Sequence, residues 1–426
     1  MKVLPFRSDN CGVSWYRLVR PLEEMVRQKL IEIRSTATMW PVTFPVSATS
    51  EQDPKLQHVR DLYDDLCGWA DILHTQRVPT MLRMSLYTSL PMIYGIPWIM
   101  DLDDDVFHVD ELNPVHEAFR EKEDDELFGK RAISSTDEAG PKELVVEEGG
   151  QLFAVTKRKE DLYNCTMQQI MQADALFVST RPLAHLYANV RREIHKPDHI
   201  YVLPNSLTPR LWQAIEKPPD HEGEIWVGWA GSASHLGDVS IIAPLVDHLL
   251  KTYRNARFFW TRVPHPQLMG LARKWGQRCI HLEGWSGIED WRQYYVSMNL
   301  DVALGPLEDN EFNRGKSNLK WLEAGINKQV FVGSRVVPYE DSIRNRKDGF
   351  LCSRPKQWMK TLDSVMSSKT LRQEVSGAAY ERVMTDFNME KNCHLWADAY
   401  KDVLEKLGDK CQDRMRRVRS ELPASA

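Results

Sequence analysis

Short apolar runs alternate with helical stretches along most of this chain, and that alternation restricts its fold more than any other feature. A short apolar run bounded by helices suits a parallel strand buried on both faces. Repeated units of this kind build a doubly wound α/β sheet. In the first half the strand candidates are residues 2–5, 31–34, 70–74, 98–100, 175–178 and 200–203. Helices are predicted between most of them, for example 17–29 and 157–172. A second series starts with a buried-type strand at 225–230 and continues at 257–260, 279–282, 302–304 and 330–332. Residues 244–253 read as an amphipathic helix with Pro244 in its first turn. The chain ends in mostly helical sequence and a mildly basic tail from Lys410.

Two stretches interrupt the pattern. Residues 116–150 are dominated by charge and read as a solvated insertion, closed by a hairpin of 144–146 and 152–155 across 147–150. Residues 207–224 carry the pair Pro218-Pro219 and read as a linker. A chain of 426 residues is too long for one ordinary core. The predicted organisation is a Rossmann-like domain at 1–206, the linker at 207–224, a second such domain at 225–385, and closing helices at 386–426. Two such halves face each other across a cleft, and ligands belong at the carboxyl ends of the strands lining it.

Composition removes some classes of function. With 55 basic and 60 acidic side chains the net charge is −5, which excludes a strongly basic nucleic-acid binder but not a local groove. Residues 181–196 could supply a local basic strip. The 14 tryptophans are many, although most tryptophans serve as core or rim residues. The seven cysteines are widely spaced, with no CxxC or Cys/His cluster, so neither a disulfide framework nor a metal site is expected. Reduced thiols and an amino terminus without an apolar signal region point to the cytoplasm. The apolar stretch at 90–100 is too short to span a bilayer, which leaves peripheral membrane contact open.

Four constellations carry chemistry. The densest runs from Gly305 to Glu323, after a strand and into a helix, with Ser317 as the expected N-cap. Lys316, Lys320 and Glu323 share one helical face, while Leu319, Leu322 and Ile326 form the adjoining apolar face. A helix amino end with a hydroxyl and two ammonium groups suits a diphosphate, and Glu323 could accept from a ribose. An ordinary charged surface helix fits the same residues equally well. A P-loop is excluded, because Asn310 stands where its first glycine is required. The second constellation, residues 228–238, contains Gly231, Ser232 and His235; its small residues permit close approach of a phosphate or sugar, and a plain strand-to-helix turn also fits. The third, residues 10–17, sets Gly12 and Arg17 after the first strand, where Arg17 could meet an anion or form a salt bridge. The fourth is Asp101, Asp103, Asp104 and Asp105 at a strand end. These carboxylates suit acceptor hydroxyls, base catalysis or helix capping ahead of a metal.

In this order the pieces resemble two-domain GT-B glycosyltransferases, particularly the family 4 retaining enzymes. Pro204, Asn205 and Ser206, followed by Trp212, resemble the family's Pro-Asn-Gly segment. Residues 228–238 look like its donor-side glycine loop, and Pro306, Phe312, Asn313, Lys316, Ser317, Lys320 and Glu323 are similar to its donor motif. Pro338, Tyr339, Asp348, Gly349 and Phe350 look like the end of the donor domain, and the helix around Trp396 resembles the segment that crosses back to the first domain. Two departures stand out. Of the usual pair of glutamates eight apart only Glu323 is present, with Gly315 at the other position, and residues 232–235 replace the usual basic pair.

The resemblance implies transfer of a sugar, with retention, from a UDP- or GDP-sugar co-substrate to an acceptor hydroxyl, with no permanently bound cofactor. Donor contacts would come from Gly12, Arg17, Gly231, Ser232, His235, Asn313, Lys316, Ser317, Lys320 and Glu323. Asp101, Asp103 and Asp104 would meet the acceptor, and Lys316 would assist the departing diphosphate. The acceptor stays open among a glycan, a lipid-linked sugar, a protein, a small metabolite and a modified nucleic-acid base. A sugar-nucleotide epimerase, or a nucleotide-sugar-binding protein without catalysis, would also fit these residues.

Overall fold

Apolar strands of this length pair in parallel when helices cover both faces, and both series do so. The computed structural model describes residues 1–8, 12–36, 39, 54–77, 81–109, 111, 113, 116, 143–148, 151–156, 162–231, 233–262, 264–283 and 288–421. The first lobe opens with β1 (Lys2–Phe6), β2 (Glu32–Ile33), β3 (Ile72–Gln76) and β4 (Trp98–Leu102). An antiparallel hairpin follows, β5 (Glu143–Glu148) with β6 (Gln151–Thr156), where the sequence placed one. The rest of the charged stretch lies outside the described residues, apart from His116. Strands β7 (Ala175–Val178) and β8 (Ile200–Val202) complete a parallel sheet of order β2-β1-β3-β4-β7-β8.

The second lobe contains β9 (Ile225–Trp229), β10 (Ala256–Thr261), β11 (Cys279–Leu282), β12 (Val302–Gly305), β13 (Val330–Ser334) and β14 (Phe350–Cys352). Their order is β11-β10-β9-β12-β13-β14, a Rossmann order whose switch point falls between β9 and β12. Loops leaving those two strands therefore diverge and open a crevice at their carboxyl ends. The sheet is anchored by Val227, Phe258, Val302 and Val332, all fully buried.

The closing helix, Met389–Glu421, returns to the first lobe. Met389, Cys393, Trp396, Tyr400, Val403, Leu407 and Cys411 recur every three or four residues and pack on Val3, Ile72, Ile99 and Phe177. Polar ties fix its register. Tyr400 Oη lies 2.6 Å from His74 Nδ1, and Arg414 grips Asp174 at 2.7 and 3.1 Å. Burial, with the Arg17 charge adding to it, pushes His74 down to about 3, so this imidazole is neutral. The two chain crossings between lobes run side by side: the Leu207 amide donates to Phe387 O at 2.9 Å, and the Met389 amide donates to Leu207 O at 2.7 Å. Inside the expected linker the chain forms a short helix, Pro209–Gln213. No helix among the described residues is long and apolar enough to cross a membrane, and the six described cysteines are free.

The expected helix at 17–29 begins earlier and is not uniform. It runs as Gly12–Ser14, a π-helical turn at Trp15–Val19, and α-helix from Arg20 to Arg27. Neighbouring side chains on this helix point to different places. Trp15 and Tyr16 join an apolar cluster of the second lobe with Trp291 and Trp321. Arg17 turns into the first lobe and meets Asp101 at the end of β4, with Nε to Oδ1 at 3.0 Å and Nη2 to Oδ2 at 2.8 Å. Its Nη1 donates to Leu203 O and, at 3.1 Å, to Asn205 Oδ1, while the guanidinium lies 4.7 Å from the Trp396 ring centre. Both charged side chains are fully buried. Removing one partner would leave the other charge uncompensated, so Arg17→Ala should cost about 3–5 kcal/mol of stability. Denaturant unfolding monitored by far-UV circular dichroism checks this, with Arg20→Ala on the same helix as the mild control.

Candidate functional site

The crevice between β9 and β12 is lined by small and polar groups. Beyond β9 the chain reaches Gly231, where an added Cβ would stand 2.6 Å from the Trp229 ring and 3.0 Å from Lys320 Nζ. Only glycine fits there without displacing the lysine. Lys320 donates to Ala230 O at 2.6 Å, which ties the glycine loop to the Leu319–Ile326 helix. Burial, with Lys316 adding to it, pushes Lys320 down to about 8.

His235 and Asp238 follow on the same loop. His235 Nδ1 is 2.7 Å from Asp238 Oδ2, and Asp238 Oδ1 accepts from the Glu308 amide at 2.7 Å and from Asn313 Nδ2 at 2.8 Å. Burial and the neighbouring lysines hold His235 well below its usual value, so the ring is neutral. A neutral ring donating through Nδ1 leaves Nε2 as an acceptor. Burial pushes Asp238 up to about 6, against the amide, lysine and asparagine donors around it. Asn313 is almost fully buried, and its Oδ1 has no hydrogen-bond partner among the described residues. A buried acceptor in that state is costly unless a ligand or water supplies a donor.

The segment after β12 makes two short turns. Asn310 caps the Glu311–Gly315 helix by accepting from the Asn313 amide at 2.8 Å. The backbone is then extended at Lys316, and the next helix starts at Leu319 with Asn318, not Ser317, as its N-cap. Ser317 stands one residue before the cap. Lys316 lies outside the helix but remains at its mouth, with Nζ 3.8 Å from Asp104 Oδ1 in the other lobe. Glu323 lies one turn into the helix and is buried. Its Oε1 accepts from Trp291 Nε1 at 2.7 Å and from Tyr16 Oη at 2.8 Å, the latter across the cleft. Burial raises the Glu323 carboxyl, and the two donors and Lys320 offset part of that.

The carboxylates of the first lobe divide by role. The expectations that Arg17 meets a ligand anion and Asp101 an acceptor are both corrected, since each saturates the other inside the lobe. Asp105 accepts from the amides of Phe107 and His108 at 2.9 and 3.1 Å and shapes its own turn. Asp103 and Asp104 are only partly buried at the strand end. Burial pushes Asp103 up to about 7, opposed by Arg17 and reinforced by Asp104. Its Oδ1 has no hydrogen-bond partner among the described residues. Gly12 opens the helix after β1, while Ser232 lies outside the described residues. The far end of the basic strip at 181–196 turns away from the cleft: Arg191 donates to Ala173 O at 2.6 Å and Lys196 to Met171 O at 2.5 Å, both before the amino end of β7.

Gly315 stands where the resemblance leads one to expect a glutamate, and the structure gives the reason. An added Cβ there would lie 3.0 Å from Leu183 and 3.2 Å from Asp105, both in the first lobe. Around it Thr180 Oγ1 donates to Gly315 O at 3.0 Å, His108 Nε2 lies 2.8 Å from Glu311, and Phe312 sits in the first lobe's apolar core. This edge of the cleft is a clasp that a side chain at 315 would prise apart. Sequence reasoning missed Tyr16, Trp291, Asp238 and Thr180. Asp238 carried a signal in its spacing of three from His235, whereas Trp291 gave none, being far from Glu323 in the chain. Gly315→Glu should open the lobes, read as a larger radius of gyration in solution X-ray scattering, while Gly270→Glu, in open space on a helix, should leave it unchanged.

No protein-family model and no curated protein matches the chain. Solved structures do. The sucrose-phosphate synthase of Thermosynechococcus elongatus is similar over 95% of this chain and 100% of its own, with a TM-score of 0.59 at 14% identity. HepE of Anabaena, solved with UDP-glucose, is similar over 94% of this chain and 100% of its own, with a TM-score of 0.59 at 10% identity. WaaG, a glycosyltransferase involved in lipopolysaccharide biosynthesis, is similar over 93% of this chain and 99% of its own, with a TM-score of 0.54 at 13% identity. With two parallel Rossmann-like sheets, a cleft and a returning helix, the chain has the GT-B fold shared by these glycosyltransferases.

Proposed function

We propose that this chain is a glycosyltransferase that moves a sugar, with retention, from a UDP- or GDP-sugar to an acceptor hydroxyl. One observation carries the reading: Lys316 and Lys320 flank the glycine-lined crevice at the switch point of the second sheet, with Asp104 of the other lobe 3.8 Å from Lys316. Two ammonium groups and the first amides of a helix suit a diphosphate. HepE, which is similar in fold, was solved with UDP-glucose, and this supports the same class of donor here.

In this reading the diphosphate lies against Lys316, Lys320 and Ser317, beside the glycine loop. Glu323 accepts from the ribose through its second oxygen. Asn313 Oδ1 and His235 Nε2 accept hydrogen bonds from hydroxyls of the transferred sugar. The acceptor enters from the first lobe, where Asp103 and Asp104 hold its hydroxyl. Its oxygen forms the new bond to the anomeric carbon as the bond to the diphosphate breaks, and that electron pair leaves with the phosphate. The hydroxyl proton passes to the departing phosphate oxygen or to Asp103, whose raised affinity suits a proton acceptor near neutral pH. Lobe closure excludes water that would hydrolyse the donor. The acceptor class stays open among glycans, lipid-linked sugars and modified bases.

Thermal stabilisation by a panel of UDP- and GDP-sugars tests the reading directly; a donor at a hundred times its Kd should add about 2.7 kcal/mol. Lys316→Ala and Glu323→Ala should each weaken the best donor by about tenfold in calorimetry, the scale of a lost charge-assisted hydrogen bond. Affinity should also fall as pH rises through about 8, because Lys320 carries its charge only below that value. Lys320→Arg should flatten this fall, since a guanidinium stays protonated throughout.

A further inference from the structure

The carboxylate at the proposed ribose site is held from both lobes. Trp291, in the second lobe, and Tyr16, in the first, donate to the same oxygen of Glu323, at 2.7 and 2.8 Å. Tyr16 is 3% exposed and Glu323 5% exposed, so neither group has water to fall back on. Two donors on Oε1 fix the rotation of the carboxyl group and leave Oε2 to accept from something else. Tyr16 lies in the π-helical turn at Trp15–Val19 and reaches the other lobe, while Arg17, its neighbour, is pinned to Asp101. The aromatic ring is fixed independently of the hydroxyl, by packing with Trp15 in a cluster that includes Trp291 and Trp321.

We infer that Tyr16 is a positioning residue for donor binding: its hydroxyl, from the acceptor-side lobe, aims Glu323 at the donor's ribose hydroxyls. The inference rests on the nucleotide-sugar reading above. It adds that the donor site is incomplete until the lobes close. Opening the cleft withdraws Tyr16, frees Glu323 to rotate about its side chain, and loosens the grip on the nucleoside. Closing it restores the grip, so donor retention and lobe closure are coupled through one hydrogen bond.

The test is calorimetry of the full chain with UDP and GDP and, for the nucleotide that binds, its 2′,3′-dideoxy form. Tyr16→Phe keeps the ring and removes only the hydroxyl. It should weaken the ribose-bearing nucleotide about tenfold and leave the dideoxy form unchanged. Glu323→Gln should show the same dependence on the ribose, and the double variant should lose no more than either single one. A loss equal for both nucleotide forms would mean a merely structural role and overturn the inference. So would unchanged binding, or tighter binding, which would make Tyr16 a competitor for the ribose position. If the unaltered chain binds neither UDP nor GDP, the donor reading itself fails, a result distinct from any outcome of the tyrosine variant. Asn313→Asp, with an intact Tyr16, gives a reference for damage elsewhere in the pocket.

Discussion

A guanidinium and a carboxylate stripped of water hold the first lobe together. Arg17 and Asp101 could not remain buried unless each satisfied the other, and the remaining donors of Arg17 reach Leu203 O and Asn205. That single group therefore joins the helix after β1, the end of β4, the segment after β8 and, through Trp396, the returning helix. Each of these elements arrives from a distant part of the sequence. Fixing them to one charge fixes the carboxyl edge of the sheet, where Asp103 and Asp104 face the cleft.

The neighbouring residue carries this order across to the other lobe. Tyr16 and Arg17 are adjacent in sequence, yet one meets Glu323 and the other Asp101. A helical turn spaces consecutive side chains by about 100°, so on a helix set between the lobes neighbouring residues serve both. On the far edge the clasp at Gly315 gives a second attachment, built from a hydroxyl, an imidazole and a phenyl ring. The cleft is thus bordered by contacts at both sides, and its interior is left to lysines and to acceptors without partners.

Much of the fold was legible in the sequence because its information is local. Apolar runs such as Ile225–Trp229 and Val302–Gly305 read as buried strands from their own residues, and the helix with Pro244 in its first turn formed as expected. The mostly helical reading of the chain's end likewise holds in the closing helix, Met389–Glu421. The site was legible only in outline. Lys316, Lys320, Asn313, His235 and Glu323 do converge, because the loop after β9, the segment after β12 and the helix that follows it carry them. What the sequence could not supply was which polar groups spend their capacity on each other. Arg17 and Asp101 looked like ligands because an arginine or an aspartate at a strand end has the same letter whether paired or free. Ser317 looked like a cap because a serine ahead of an apolar helical stretch is a usual cap, whereas the helix starts one residue later, after Asn318. Gly315 read as a lost carboxylate, although its small size is what the opposing lobe demands.

The laced backbone at Leu207, Phe387 and Met389 has a mechanical consequence. A lone peptide tether would let the halves swivel in any direction. Two strands bonded flank to flank behave instead like the pin of a door, stiff to shear and twist and compliant about a single axis. The two crossings are thereby tied into one connection, so neither can shift without the other.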